Sequence, residues 1–315
     1  MKSSNIGGQA VLEGIMMKNG NSYAVAVRKP DGEIEVKKEK VQEGRFAKAK
    51  KIPFVRGVFQ FIDSLVLGMK TLTYSASFWE EEEGEELRVE DAKKQEKKDS
   101  FFMTVTVCIS ILLAVGIFMV LPNLIATGIG YFVKSNLLEA VIEGLSRIAI
   151  FVCYILLVSF MKDIRRTFMY HGAEHKCINC IESGHMLTVE NVRASSKEHK
   201  RCGTSFLFYV MFVSIILFFF LNLESKVLEI LLRIVLVPVI AGISYEIIKL
   251  AGSSNNAIVN IISKPGLWLQ KLTTKEPDDD MIEVGIKAVE EVFDWKVYLT
   301  ENFGVTFEVE KNEPS

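Results

Sequence analysis

All four histidines of this 315-residue chain fall in one stretch, residues 161–203: His171, His175, His185 and His199. Three of its five cysteines lie there too, Cys177, Cys180 and Cys202. Cys108 and Cys153 sit in apolar runs and read as small, inert side chains. His171–His175 spells H-G-A-E-H. Spacing of i, i+4 puts both imidazoles on one face of a helix, with Glu174 beside them. H-x-x-E-H is the inverted form of the zinc-protease motif. In such a site a divalent metal, zinc above all, lowers the pKa of bound water and a carboxylate takes the proton. That chemistry makes His171 and His175 ligands and Glu174 the general base. Cys177-Ile178-Asn179-Cys180 adds a C-x-x-C pair, and His199 and Cys202 follow at i, i+3. These four are further candidate metal ligands. Two other readings stay open: side chains that merely pack in a solvated loop, and cysteine redox chemistry, which no thioredoxin-like βαβ pattern supports here. A fully ligated ion would be structural, whereas chemistry needs an open position.

The elements that must hold this cluster divide by composition. The chain is 49% hydrophobic with net charge -2, and no nucleic-acid polymer is expected as a partner. Its mean hydropathy of +0.25 averages two water-soluble ends and an apolar middle. Phe101–Leu121 and Thr204–Leu223 run 21 and 20 residues without a charge, about what a helix needs to cross a bilayer. Ala140–Phe160 and Val227–Leu250 are two further spans, with Glu143, Arg147, Glu229, Arg233 and Glu246 toward their ends, where snorkelling suffices. Pro122 is expected to end or kink the first span. The expected fold is an α-helical integral membrane protein with four transmembrane helices, paired in 101–160 and 204–250. Met1–Gly20 lacks the apolar core of a signal peptide. The 161–203 connection carries eight lysines and arginines, against Lys134 and Lys226 alone in the other two. The His/Cys loop and both termini are therefore expected on the cytoplasmic side.

The soluble parts read as follows. Residues 1–50 form a small β-meander of Gln9–Met17, Ser22–Arg28 and Glu33–Val41, with turns at Asn19-Gly20 and Asp31-Gly32. Gly7 and Gly8 bring backbone close to a ligand or loosen a strand entry. Residues 51–79 suit an amphipathic helix, interfacial or soluble. Residues 80–100 are a charged linker. Residues 251–315 form a helical part: Ala257–Leu272, interrupted at Pro265-Gly266, then Met281–Phe293 capped by Asp278.

Four separated segments, Gly7–Lys18, His171–Lys176, His199–Phe206 and Thr273–Val284, resemble in order the YqhQ-like family of bacterial membrane proteins. The resemblance covers nearly the whole chain. It implies a multi-pass protein of the bacterial cytoplasmic membrane, and the family's label, predicted metal-dependent enzyme, implies a metal-dependent hydrolase. A rival reading is a non-enzymatic accessory or regulatory subunit of a membrane machine such as a protein translocon or transporter. Besides the lipid bilayer, its partners would be that machine or a second copy of the chain. Gly7, Gly8, Gln9 and Arg201 would then bind a partner or a small anionic, nucleotide-like ligand. No Walker A or dinucleotide fingerprint is present. The four segments are expected to converge.

Overall fold

The computed structural model describes residues 2–41, 52–79, 102, 104–132, 135–221, 223, 225–253 and 256–307. The charged linker lies outside them. Strands β1 (Gly7–Val11), β2 (Gly14–Asn19), β3 (Ser22–Arg28) and β4 (Ile34–Lys40) come first. Helices follow: α1 (Val55–Ala76), α2 (Thr104–Gly130), α3 (Asn136–Ser159), α4 (Lys162–Glu182), α5 (Val189–Ala194), α6 (Gly203–Phe219), α7 (Lys226–Ser253), α8 (Ala257–Thr273), α9 (Asp279–Val292) and α10 (Trp295–Phe303). They form two units, one of Met1–Trp79, Val158–Tyr209 and Ala241–Ser315, the other of Glu80–Leu157 and Val210–Ile240.

The first unit is built on an antiparallel sheet of order β1-β2-β3-β4. Strand alternation sends Ile15, Met17 and Ala26 to one face and Val11, Met16, Tyr23, Val25 and Val27 to the other. The first set packs with Ala173, Cys177 and Ile178 of α4 and Ile282 and Val289 of α9. The second is covered by Leu67 and Tyr74 of α1 and by Phe78. The sheet is thus the middle of three layers. α1 buries Gly57, Gly68, Thr71 and Ser75, while Ile62, Leu65, Val66, Met69 and Leu72 face outward. That is the reverse of a soluble helix.

Four expectations change here. The single strand over Gln9–Met17 is two, folded at Leu12-Glu13 so that Val11 pairs with Gly14. Neither central position of that turn is a glycine or asparagine. Glu13 takes φ 48° and is held there from α4, by Arg166 and by the Tyr170 hydroxyl at 3.2 Å. The 161–203 stretch is not a loop: α4 and α5 occupy most of it, because Tyr170, Ala173, Cys177 and Ile181 recur at helical spacing and are buried. α8 runs unbroken through Pro265-Gly266, and the bare Gly266 lets Ser205 come close, since a Cβ there would lie 2.8 Å from Ser205 Oγ. Asp278 stands at the N-cap of α9 but its side chain makes no capping bond. The turns at Asn19-Gly20 and Asp31-Gly32 are present, with Gly20 and Gly32 at φ +57° and +89°.

Among the described residues, three helices are long and apolar enough to cross a membrane: Thr104–Gly130, Leu137–Ser159 and Val227–Gly252. Four were expected. α6 has only 17 residues and rises about 25 Å against a hydrocarbon core of about 30 Å. It stops because the Phe220 and Leu221 N–H groups turn back to the Leu217 and Phe218 carbonyls, a tightened last turn. Pro122 does not end α2. A π-turn over Gly116–Val120 precedes it, in which the Leu121 N–H bonds the Gly116 carbonyl, and this irregularity accommodates the missing proline donor.

Inside the second unit, Glu143 and Arg147 of α3 and Glu229 and Arg233 of α7 are buried rather than snorkelling. Arg233 pairs with both glutamates, Arg147 pairs with Glu143, and both guanidiniums lie over the Phe218 ring.

Candidate metal centre

α4 carries two buried stripes. One is the apolar stripe that packs on the sheet. The other, nearly half a turn around the helix axis, is polar: the half-buried His171 and the buried His175, Asn179 and Glu182. Three segments meet this polar stripe. The end of α8 brings Thr273, whose carbonyl is left over by the helix and accepts from His171 Nδ1 at 3.0 Å. The stretch 195–201 brings the Lys197 carbonyl, which accepts from His175 Nδ1 at 2.6 Å. Just before α6 stands Cys202, whose sulfur lies 3.2 Å from His171 Nε2 and accepts the Thr204 N–H at 3.3 Å.

With both Nδ1 atoms given to carbonyls, both Nε2 atoms are left for the centre of the site. His171, His175 and Cys202 then offer three ligand atoms within 4.8 Å of one another. Among the described residues this is the group that could hold a metal ion. Glu174 Oε2 sits 3.8 Å from His171 Nε2 and 3.9 Å from His175 Nε2. The electrostatics favour a thiolate. Burial pushes the Cys202 thiol up, but the two imidazoles overcome it and hold the thiol well below its usual range. Burial likewise opposes charge on His171, and Cys202 and Glu174 outweigh it, raising its pKa to about 9. His175 is raised in the same way, burial opposing and Cys202 prevailing.

The other candidate residues lie elsewhere in the first unit. Cys177 and Cys180 are in or beside the hydrophobic core, not with the two histidines. Burial raises both thiols, Cys180 to about 11, so neither is a ready thiolate. His199 has its ring 5.7 Å from that of His175 but faces Glu182, with Nε2 to Oε2 at 3.7 Å. Arg201 pairs with Glu182 and donates to Ser3 Oγ. Gly8 lies against Glu174: a Cβ there would be 2.7 Å from Glu174 Cγ. Gln9 points to the opposite face of the sheet, at Gly68 of α1, and Gly7 is exposed, paired with Lys18 across the hairpin.

The supporting polar residues were missed by sequence reasoning. Gln270 holds His199 from both sides, accepting its N–H at 2.9 Å and donating to its carbonyl at 2.8 Å. Asn179 donates to the Ser196 and Glu198 carbonyls, and Lys176 to those of Arg193 and Ser195. The 193–199 backbone is therefore pinned to α4 and α8 by side chains. Continuing the His171, His175 spacing to Asn179 and Glu182 would have found two of them.

Two results are expected from this scaffold. A Cβ on Gly172 would lie 2.0 Å from the Lys275 carbonyl oxygen, so Gly172→Ala must displace the backbone that carries Thr273. It should lose about 1–3 kcal/mol in a denaturant titration and weaken metal binding with it; an unchanged midpoint would contradict the close approach. Burial works to raise the Glu182 carboxyl, but His199, Arg201 and the Ser4 N–H lower it from 4.5 to about 2. Its stabilisation is complete above pH 4.5 and is lost as pH falls toward about 2. In metal-free protein, Glu182→Gln should flatten the stability profile across that window, and an identical slope in both proteins would remove Glu182 as the cause.

Residues 52–295 match the family described as "Protein of unknown function (DUF1385)". The chain is 34% identical to "Uncharacterized protein YqhQ" of Bacillus subtilis (strain 168) over 290 residues, 91% of each chain. No solved structure matches it.

Proposed function

The chain belongs to the DUF1385, YqhQ-like family, and we propose that it is a multi-pass bacterial cytoplasmic-membrane protein whose His171, His175 and Cys202 hold one divalent metal for hydrolysis. The observation that carries this reading is the oriented donor set: two imidazoles with Nδ1 committed to Thr273 and Lys197, and the Cys202 sulfur beside them. Two nitrogens and one sulfur suit zinc. Held by these three donors, a divalent metal would supply one chemistry here, the easier removal of a proton from water. Glu174, within 4 Å of both Nε2 atoms, is the base that takes it.

Two features support the membrane placement. The most apolar stretch of α2 has no residue buried inside the protein, so lipid is its natural solvent. The second is the distribution of lysine and arginine, eight in 161–203 against Lys134 and Lys226 alone in the other two connections, which favours an even number of crossings. α2 with α3, and α6 with α7, supply them, the short α6 being accommodated by local thinning of the bilayer. Both termini and α4 then share one side, the cytoplasmic one by their lysines and arginines.

Cobalt(II) substitution tests the site. The cobalt protein should show the strong visible bands of a tetrahedral ion and a thiolate charge-transfer band that Cys202→Ser removes. Glu174→Gln should keep these bands and shift their pH titration. Weak octahedral bands, or a titration untouched by Glu174→Gln, would defeat the hydrolytic reading.

A further inference from the structure

The first unit contains a cavity of about 610 Å³, walled by Lys2-Ser3, the last turns of α4, residues 191–201, Gly252 and Leu267. Its size is that of a small-molecule site. Its chemistry is not that of the metal centre, and it does not depend on a metal being held there. Lys2, Lys200 and Arg201 line it against two carboxylates, Glu182 and Glu198. Glu182 is already engaged inside the protein, accepting from the Ser4 N–H and hydroxyl and pairing with Arg201. The balance at the wall is positive. Four serines lie in the lining, which among the described residues includes no Phe, Tyr or Trp for a nucleobase to stack on.

An independent observation comes from Asn179. Its Nδ2 donates to the carbonyls of Ser196 at 2.6 Å and Glu198 at 2.9 Å, which fixes the amide the right way round. Its Oδ1 is then a buried acceptor with no partner, on a residue 2% exposed that lines the cavity. A buried acceptor left without a donor is costly, because it has given up water and gained nothing in return. A ligand carrying hydroxyl groups supplies one.

We infer that this cavity binds a small phosphorylated polyol, its phosphate toward Lys2, Lys200 and Arg201 and a hydroxyl toward Asn179. Two sources share that chemistry, a free sugar phosphate and the glycerophosphate head of a lipid. The test is calorimetry on the full chain in nanodiscs, with glucose 6-phosphate, glycerol 3-phosphate, inorganic phosphate and neutral glucose as probes. The phosphorylated polyols should bind saturably, on the order of tenfold or more tighter than glucose and than inorganic phosphate alone. Competition by phosphatidylglycerol, compared with phosphatidylcholine discs, assigns the source to the lipid, and its absence to the free metabolite. Arg201 is tied by an ion pair to the buried Glu182, whereas Lys2 and Lys200 donate to neutral acceptors, the Asn302 carbonyl and Asn260 Oδ1, so the variant of choice is Lys2→Gln with Lys200→Gln. It should weaken binding about tenfold with its unfolding midpoint unchanged. No saturable binding of a phosphorylated probe, equal binding of glucose, or a double variant that binds like wild type would overturn the inference.

Discussion

Replacing Arg233 by leucine is expected to lower the stability of the folded chain by about 3–5 kcal/mol. Arg233 is the cation shared by Glu143 and Glu229, and all three are almost closed to solvent. Without it, two buried carboxylates face one guanidinium, that of Arg147. Desolvated charge left short of a counter-charge is what makes such a loss large, where an exposed pair would cost at most about 1 kcal/mol. The second variant is diagnostic. Adding Glu229→Gln to Arg233→Leu removes the surplus negative charge and should restore part of the stability. Unfolding in mixed detergent micelles measures both. A loss below about 1 kcal/mol, or a double variant weaker than the single one, would mean that the quartet is solvated.

Cys202→Ala is expected to abolish tight metal binding, while Cys177→Ala and Cys180→Ala leave it intact. All three cysteines lie in a region whose pattern alone makes each a ligand, so the contrast is a strict one. Cys202 alone faces both imidazoles and is held as a thiolate. The other two are protonated by burial at neutral pH. Losing a supporting hydrogen bond to a ligand costs about 10- to 100-fold in affinity, and losing the ligand itself costs more. Competition with a chromophoric chelator measures it. Equal affinity in Cys202→Ala and wild type would place the metal elsewhere.

Much of this site was legible in the sequence, for a definite reason. His171, Glu174 and His175 lie within one helical turn and a bit, so local spacing alone sets their geometry. Cys202 was one of four further candidates, and nothing local could choose it. The choice is made by tertiary contacts: α4 turns Cys177 toward the sheet and His175 away from it. Thr273 and Lys197 act through backbone carbonyls, which leave no mark in residue type. The β1–β2 hairpin was invisible for a related reason, since Glu13 is held at positive φ by Arg166 and Tyr170 from α4. Residues 161–203 read as a loop because they connect two apolar spans, and that place in the chain does not show the buried stripe of Tyr170, Ala173, Cys177 and Ile181. The apolar helices were the easiest part, because twenty uncharged residues have few alternatives. The short α6 turned on where its last turn tightens, and composition does not show that.

The measurement that tests the central claim most directly is the metal-to-protein ratio of the full chain, purified without chelator and read by elemental mass spectrometry. The expected ratio is about one divalent ion per chain, zinc above others, in wild type and in Cys177→Ala with Cys180→Ala. It should fall to near zero in His171→Ala with His175→Ala and in Cys202→Ala, with each variant still folded. Wild-type protein without stoichiometric metal, even after incubation with zinc, or histidine variants that keep it, would contradict the account.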